Sequence, residues 1–160
     1  MDNLSLEGKI NFLKSHLRIN DEFIYLFGVC MALCHLYYLM LANDIVDDIN
    51  IKDNDLLNFL DDKVSNKDKS SFNEKIKTVY GDVAVKWVTE SLIPVRNMLA
   101  HCVPKPNSEN AFLYVNNEKQ YSVDINLMKD FIDKGINMIG WLNIAKNNEK
   151  INPDKKGGTK

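Results

Sequence analysis

Residues 83–102 read VAVKWVTESLIPVRNMLAHC, and this stretch sets the fold class. Val85, Val88, Leu92, Val95, Leu99 and Cys102 follow one another at steps of three and four, the repeat of an α-helix with one side turned to a core. Pro94 falls inside the repeat. Its ring removes the amide that would bond to the Glu90 carbonyl, so the sequence predicts a kink or a fresh helix start just before Arg96.

Toward the N-terminus, Ser71 and Glu74 have the spacing of a capping box, which predicts a short helix through Phe72, Ile76, Val79 and Tyr80 that ends near Gly81. Residues 44–70 are acidic and polar, broken only by Leu56, Leu57, Phe59 and Leu60. They read as a loop carrying one short helix, the most mobile part of the domain. Residues 23–42 are apolar, with His35 as the only side chain that ionises readily near neutral pH. Asn20 or Asp21 caps this helix, which runs to about Ile45. It is long enough to span a bilayer. Gly28, Cys30, Cys34, His35 and the pair Tyr37-Tyr38, with acidic clusters on both flanks and no positive-inside bias, favour instead the buried centre of a bundle and no membrane. Leu6, Ile10, Leu13 and Leu17 predict a first, amphipathic helix with one buried stripe.

Toward the C-terminus, residues 112–115 and 120–123 are strand-like and flank Asn116 and Asn117, a hairpin turn. Asp124 caps a final helix that buries Met128, Phe131, Ile132, Met138, Ile139 and Leu142 and reaches about Lys146. Residues 147–160 read as a disordered basic tail. The chain is therefore expected to form one all-α domain over residues 1–146, a bundle of about five helices with one small β-hairpin near 112–123.

Composition agrees with a globular domain: 160 residues, 45% hydrophobic and 26% charged. The net charge of −2 excludes a chain-wide basic field, so any nucleic-acid contact must be local. Of the 20 cationic side chains only Arg18 and Arg96 are arginines, which singles out positions where a planar fork is needed. Cys30, Cys34 and Cys102 are an odd set, and the first twenty residues do not read as a cleavable leader, so a reduced, cytoplasmic setting is expected. Cys30, Cys34 and His35 lack the second ligand pair of a zinc site and read as core residues. His16 and His35 read as ordinary helix residues, and the pairs Asp47-Asp48 and Asp61-Asp62 as solvated loop charge rather than a two-metal centre. No phosphate-binding glycine loop or nucleophile elbow is present.

The residues with chemical content are Arg96-Asn97-Met98-Leu99-Ala100-His101, preceded by Ile93-Pro94-Val95. An Arg, a polar residue directly after it and a His beyond four intervening residues resemble the motif of the HEPN (higher eukaryotes and prokaryotes nucleotide-binding) family. The resemblance covers the motif residue by residue; elsewhere the chain agrees only in being a helical bundle of suitable length. It implies a metal-independent endoribonuclease of toxin–antitoxin or antiviral-defence type, with RNA as substrate, no cofactor, a homodimer, and an antitoxin or regulatory partner protein. It also implies Arg96, His101 and Asn97 as catalytic residues and a cyclic 2′,3′-phosphate with a 5′-hydroxyl as products. Lapsed, non-catalytic copies are part of the same family, so a nucleotide- or protein-binding module is the alternative.

Helical geometry adds that Asn97 and His101, four apart, share a face opposite the apolar stripe, while Arg96 lies about 140° from His101 on an ideal helix. The outer face with Trp87, Pro94, Asn97, Met98 and His101 mixes apolar and functional groups and is expected to meet a second copy. A plain structural role also fits, since Arg and His at a helix C-terminus oppose the helix dipole.

Overall fold

The computed structural model describes residues 5–46 and 53–151. In chain order these form α1 (Leu6–Leu17), α2 (Asp21–Leu41) running into a π-helical turn (Ala42–Val46), α3 (Asp53–Leu60), α4 (Asn66–Tyr80), α5 (Asp82–Trp87), a second π-helical turn (Val88–Leu92), α6 (Ile93–His101), β1 (Val103–Pro104), β2 (Ala111–Asn116), β3 (Lys119–Asp124) and α7 (Ile125–Ile151). Because each π turn continues the helix beside it, the described residues hold six helical rods, against about five expected, and one small antiparallel sheet in the order β1-β2-β3. The fold is the expected all-α bundle with a hairpin.

The core is the seam between α2 and α7, closed by the α5–α6 rod. One face of α2 is buried through Phe23, Leu26, Cys30, Leu33, Cys34, Tyr37 and Leu41. From α7, Met128, Phe131 and Leu142 meet it, with Ile132, Met138 and Ile139 half-buried around them. The helices come close because residue 135 is glycine: a Cβ there would lie 2.5 Å from Leu33 Cδ2. The exposed backbone is used, since Tyr37 Oη donates to the Gly135 carbonyl at 2.6 Å. Trp87 fills the junction, its ring 5.8 Å from Tyr37 and stacked 5.7 Å from Phe131. At the far end Asp44 accepts from both Tyr80 Oη and Lys146 Nζ. By length and composition Asp21–Ile45 could cross a membrane; one face of it packs into the core, while Ile24, Tyr25, Leu36 and Leu39 are exposed.

The predicted stripe is present: Val88, Leu92, Val95 and Leu99 are buried, and Val85 and Cys102 are half-buried beside them. Pro94 gives the predicted fresh start, in the first turn of α6 after the π turn. Wider π bonding just upstream accommodates a residue that cannot donate to Glu90. The caps at Asn20 and Asp124 also hold, accepting from Phe23 N at 2.8 Å and Leu127 N at 3.0 Å.

Other expectations are corrected. Helix α4 starts at Asn66, not at Ser71: Ser65 is its cap, accepting from Asp68 N and donating to the Asp68 carboxylate at 2.6 Å. Within residues 44–70 the expected short helix is α3, while residues 66–70 belong to α4 rather than to a loop. Stretch α1 forms where expected, but it buries no residue, and Leu6, Ile10 and Leu13 are exposed. It is tethered by Lys14 to Asp21, by Asn20 N to Asn110 Oδ1 and by Asn110 N to the Arg18 carbonyl. Trp87 belongs to the core, not to the outer face with Pro94, Asn97, Met98 and His101. The underwound π turn between them puts the two halves of the rod out of phase.

The hairpin turn is Asn117-Glu118, one residue later than predicted. Both residues take left-handed backbone (φ 47° and 65°), as the turn that matches strand twist requires, and Asn116 pairs with Lys119. Strand β1, which the sequence did not suggest, pairs Val103 with Leu113 and Pro104 with Phe112. Helix α7 continues past Lys146 to Ile151, so the first residues assigned to the tail are helical; residues 152–160 lie outside the described residues.

If Ser65 rather than Ser71 is the cap, Ser65→Ala lowers stability in urea unfolding by about 1 kcal/mol. Ser71→Ala, on an exposed position inside α4, leaves it unchanged or slightly raised. Equal losses from both would place the helix start wrongly.

Candidate functional site

The motif occupies the last turns of α6, and its side chains diverge. Arg96 is half-buried and turns toward α3. There Asp61 waits, placed by the way α3 stops. Lys63 N bonds the Asn58 carbonyl at 2.8 Å, Asp62 N bonds the Phe59 carbonyl at 3.1 Å, and Asp62 itself is left-handed at φ 59°. This helix-ending arrangement reverses the chain and leaves the Asp61 carboxylate facing α6. Arg96 Nη1 forms an ion pair with Asp61 Oδ1. It is a contact of charges rather than an aligned hydrogen bond, because Oδ1 is buried and accepts none. Lys63 Nζ holds the other carboxylate oxygen at 3.1 Å.

Asn97 meets Arg96, not His101: Arg96 Nη1 donates to Asn97 Oδ1 at 3.1 Å. The two neighbours open onto different cavities. Arg96 lines one of about 220 Å³ with Met31, Cys34, His35, Tyr38 and Asp61. Asn97 lines one of about 350 Å³ between α4, α6 and the hairpin, where Asn73, Tyr114 and Tyr121 face it. His101 is the last residue of α6, exposed, and lines neither cavity. Among the described residues no hydrogen bond joins it to Arg96 or Asn97. One chain thus assembles Arg96 with Asn97 and leaves His101 apart, at the helix C-terminus where a cation is favoured.

Two participants escaped the sequence reading. Asp61 is a partner of Arg96, not free loop charge, and His35 shares the Arg96 cavity although it reads as an ordinary helix residue. No local signal marks either, because both meet Arg96 only through tertiary packing.

Burial disfavours the thiolate form of the nearby cysteines. Burial pushes Cys34 up to about 11, with the Arg96 charge pulling partly back, and burial with the neighbouring Cys34 pushes Cys30 up to about 12. Cys102 is raised by burial as well. Among the described residues no group of three or more His, Cys, Asp or Glu is arranged to hold a metal ion.

No protein-family model, curated protein or solved structure matches the chain.

The thiols give an alkaline test of the core. Cys30 and Cys34 hold their protons more tightly folded than unfolded, their values rising from 9.0 to about 12 and about 11. Stability is therefore full below about pH 9 and falls as pH rises through the range between the two states. Tyr37 and Tyr80, also raised by burial, act in the same direction. Urea midpoints should drop as pH rises from about 9 toward about 11, and less steeply for a Cys30→Ala/Cys34→Ala variant. A midpoint that rises over this range would contradict the burial of these groups.

Proposed function

We propose that the chain is a metal-independent endoribonuclease of toxin–antitoxin or antiviral-defence type, acting on RNA as a cytoplasmic homodimer restrained by an antitoxin or regulatory partner protein. The observation that carries the reading is the hydrogen bond from Arg96 to Asn97 on the last turns of α6, with His101 exposed one turn further on. It gives the motif that resembles the HEPN family an oriented guanidinium and an accessible imidazole at one end of one helix.

In the proposed reaction the imidazole of His101 takes the proton of a 2′-hydroxyl. The freed oxygen bonds to the adjacent phosphorus, and the bond from phosphorus to the 5′-oxygen breaks. A proton passes to that leaving oxygen, from the partner copy's His101 or from the same one after it has been charged. The products are a cyclic 2′,3′-phosphate and a 5′-hydroxyl, and DNA, lacking the attacking group, is not cut. The Arg96 guanidinium stabilises charge on the phosphoryl oxygens through a fork that Lys cannot copy. Asn97, holding Nη1, acts as a positioning residue for Arg96.

A single copy has its Arg96 paired with Asp61 and its His101 at a separate edge. A two-fold contact through the outer face of α6 supplies what one copy lacks. Pro94 and Met98 are half-buried there and His101 is exposed.

The second reading is a non-catalytic, HEPN-like nucleotide- or protein-binding module. The ion pair with Asp61 favours it, because a neutralised guanidinium is a poorer phosphate clamp.

RNA cleavage by the purified protein should persist in excess chelator and spare DNA. Replacement His101→Ala should cost about a hundredfold or more with little change in melting temperature. Arg96→Lys keeps the charge and most of the stem, so a helix-dipole role leaves cleavage intact while a phosphate clamp loses most of it. Parent-like cleavage by both variants would move the reading to the binding module. Sedimentation at micromolar concentration should give twice the chain mass, and a strictly monomeric species would remove the shared cleft.

A further inference from the structure

The cavity beside Asn97 has a chemistry of its own. It holds about 350 Å³, within the range of small-ligand sites, and lies between α4, the α6 rod and the hairpin. Its hairpin wall is a cross-strand aromatic pair: Tyr114 and Tyr121 face each other in register, ring centroids 6.0 Å apart and tilted by 37°. Tyr121 is 41% exposed, so the aromatic surface is open rather than consumed by packing. On the opposite wall stands Asn73, whose Oδ1 is buried and accepts no hydrogen bond. A buried acceptor without a donor is costly, and a small rotation of the Asn73 amide would let a bound group supply the donor. Asn97 completes the polar rim and bonds through Oδ1 to Arg96.

Charge narrows the choice of occupant. The one lysine of the lining, Lys69, is held at 2.5 Å by Asp62, which also lines the cavity. The pair is neutral overall, so the site offers a phosphate no net attraction. A flat aromatic surface, a buried acceptor and amide groups at the rim, without free charge, suit a neutral planar group that carries N–H donors at its edge. That describes a nucleobase.

We propose that this cavity is a nucleobase subsite, in which an unpaired base stacks on Tyr121 and Tyr114 and donates from its edge to Asn73 Oδ1. A guanine, adenine or cytosine can donate through its exocyclic amine and a uracil through its ring N–H; the buried acceptor favours bases with the amine. Asn97 joins the subsite to Arg96 in the neighbouring cavity, so the phosphate of a base held here would lie toward Arg96. In that last respect it rests on the ribonuclease reading above. Stacking on Tyr and donation to Asn73 do not.

The test uses the full chain carrying His101→Ala, so that no substrate is consumed, and the probes are the four nucleoside monophosphates and single-stranded tetranucleotides. Binding is followed by the side-chain amide signals of Asn73 and Asn97 in NMR titrations. The expected result is saturable binding with shifts at both amides and a preference among bases. Tyr121→Ala should weaken it about tenfold or more and Tyr121→Phe should restore it, since stacking needs the ring and not the hydroxyl. Asn73→Leu, checked for folding by melting temperature, should remove the preference; if it does not fold, Asn73→Asp, which keeps the acceptor but adds charge, should change the order of preference. No saturable binding, or binding indifferent to Tyr121→Ala, overturns the proposal, as does a site that takes an aromatic peptide and no base. The two readings fail separately. Base binding without RNA cleavage by the parent protein leaves the subsite standing, whereas cleavage with no base preference and no Tyr121 dependence leaves only the nuclease.

Discussion

Everything in this fold depends on how closely α2 and α7 can approach. A long apolar helix buries half its circumference only if a second helix lies flat against it, and the contact is set where Leu33 meets Gly135. With no side chain at 135, Tyr37 reaches the backbone of α7 and Trp87 settles between Tyr37 and Phe131. Burial of these rings is worth several kcal/mol by area, roughly 1.5–3 for each large side chain. The rod that carries the motif is therefore fixed to the seam by its Trp87 end, and the motif end is fixed by the stripe through Leu99.

The same rod explains why the motif residues face different ways. Upstream of the π turn its phase is set by Trp87 and Val88 against the core; downstream it restarts at Ile93 and Pro94. Arg96 then falls on the α3 side, Asn97 on the hairpin side, and His101 at the solvent end. One bond between adjacent side chains, Arg96 to Asn97, is what connects the charged cavity to the aromatic one.

Much of this was legible in the sequence where a signal is local and strong. The three-and-four repeat from Val85 to Cys102, the restart imposed by Pro94, and the caps at Asn20 and Asp124 all depend on neighbours within a turn or two. Other parts were not legible, each for a physical reason. Ser65 with Asp68 and Ser71 with Glu74 are both cap-like pairs, and nothing local says which one the chain uses. Amphipathicity in α1 declares an apolar face without saying what covers it, and the described residues leave Leu6, Ile10 and Leu13 bare. A uniform helical wheel turns Trp87 outward because it cannot register a π turn. The candidate site was legible as three residue types in a row, but Asp61 and His35 join Arg96 across tertiary distance, and Asn73 joins Asn97 in the same way.

The α2–α7 seam also has a consequence for synthesis. Tyr37 and Gly135 are 98 positions apart, as are Cys30 and Met128, whose sulfur and carbonyl also meet in the seam. A ribosome making this chain releases its most apolar helix long before the helix that covers it exists. Closing such a distant contact is slow and late, and the waiting surface is the kind that chaperones hold. Since the seam positions the α5–α6 rod, the candidate site is organised only after α7 has emerged, and a nascent chain carries the motif without its setting.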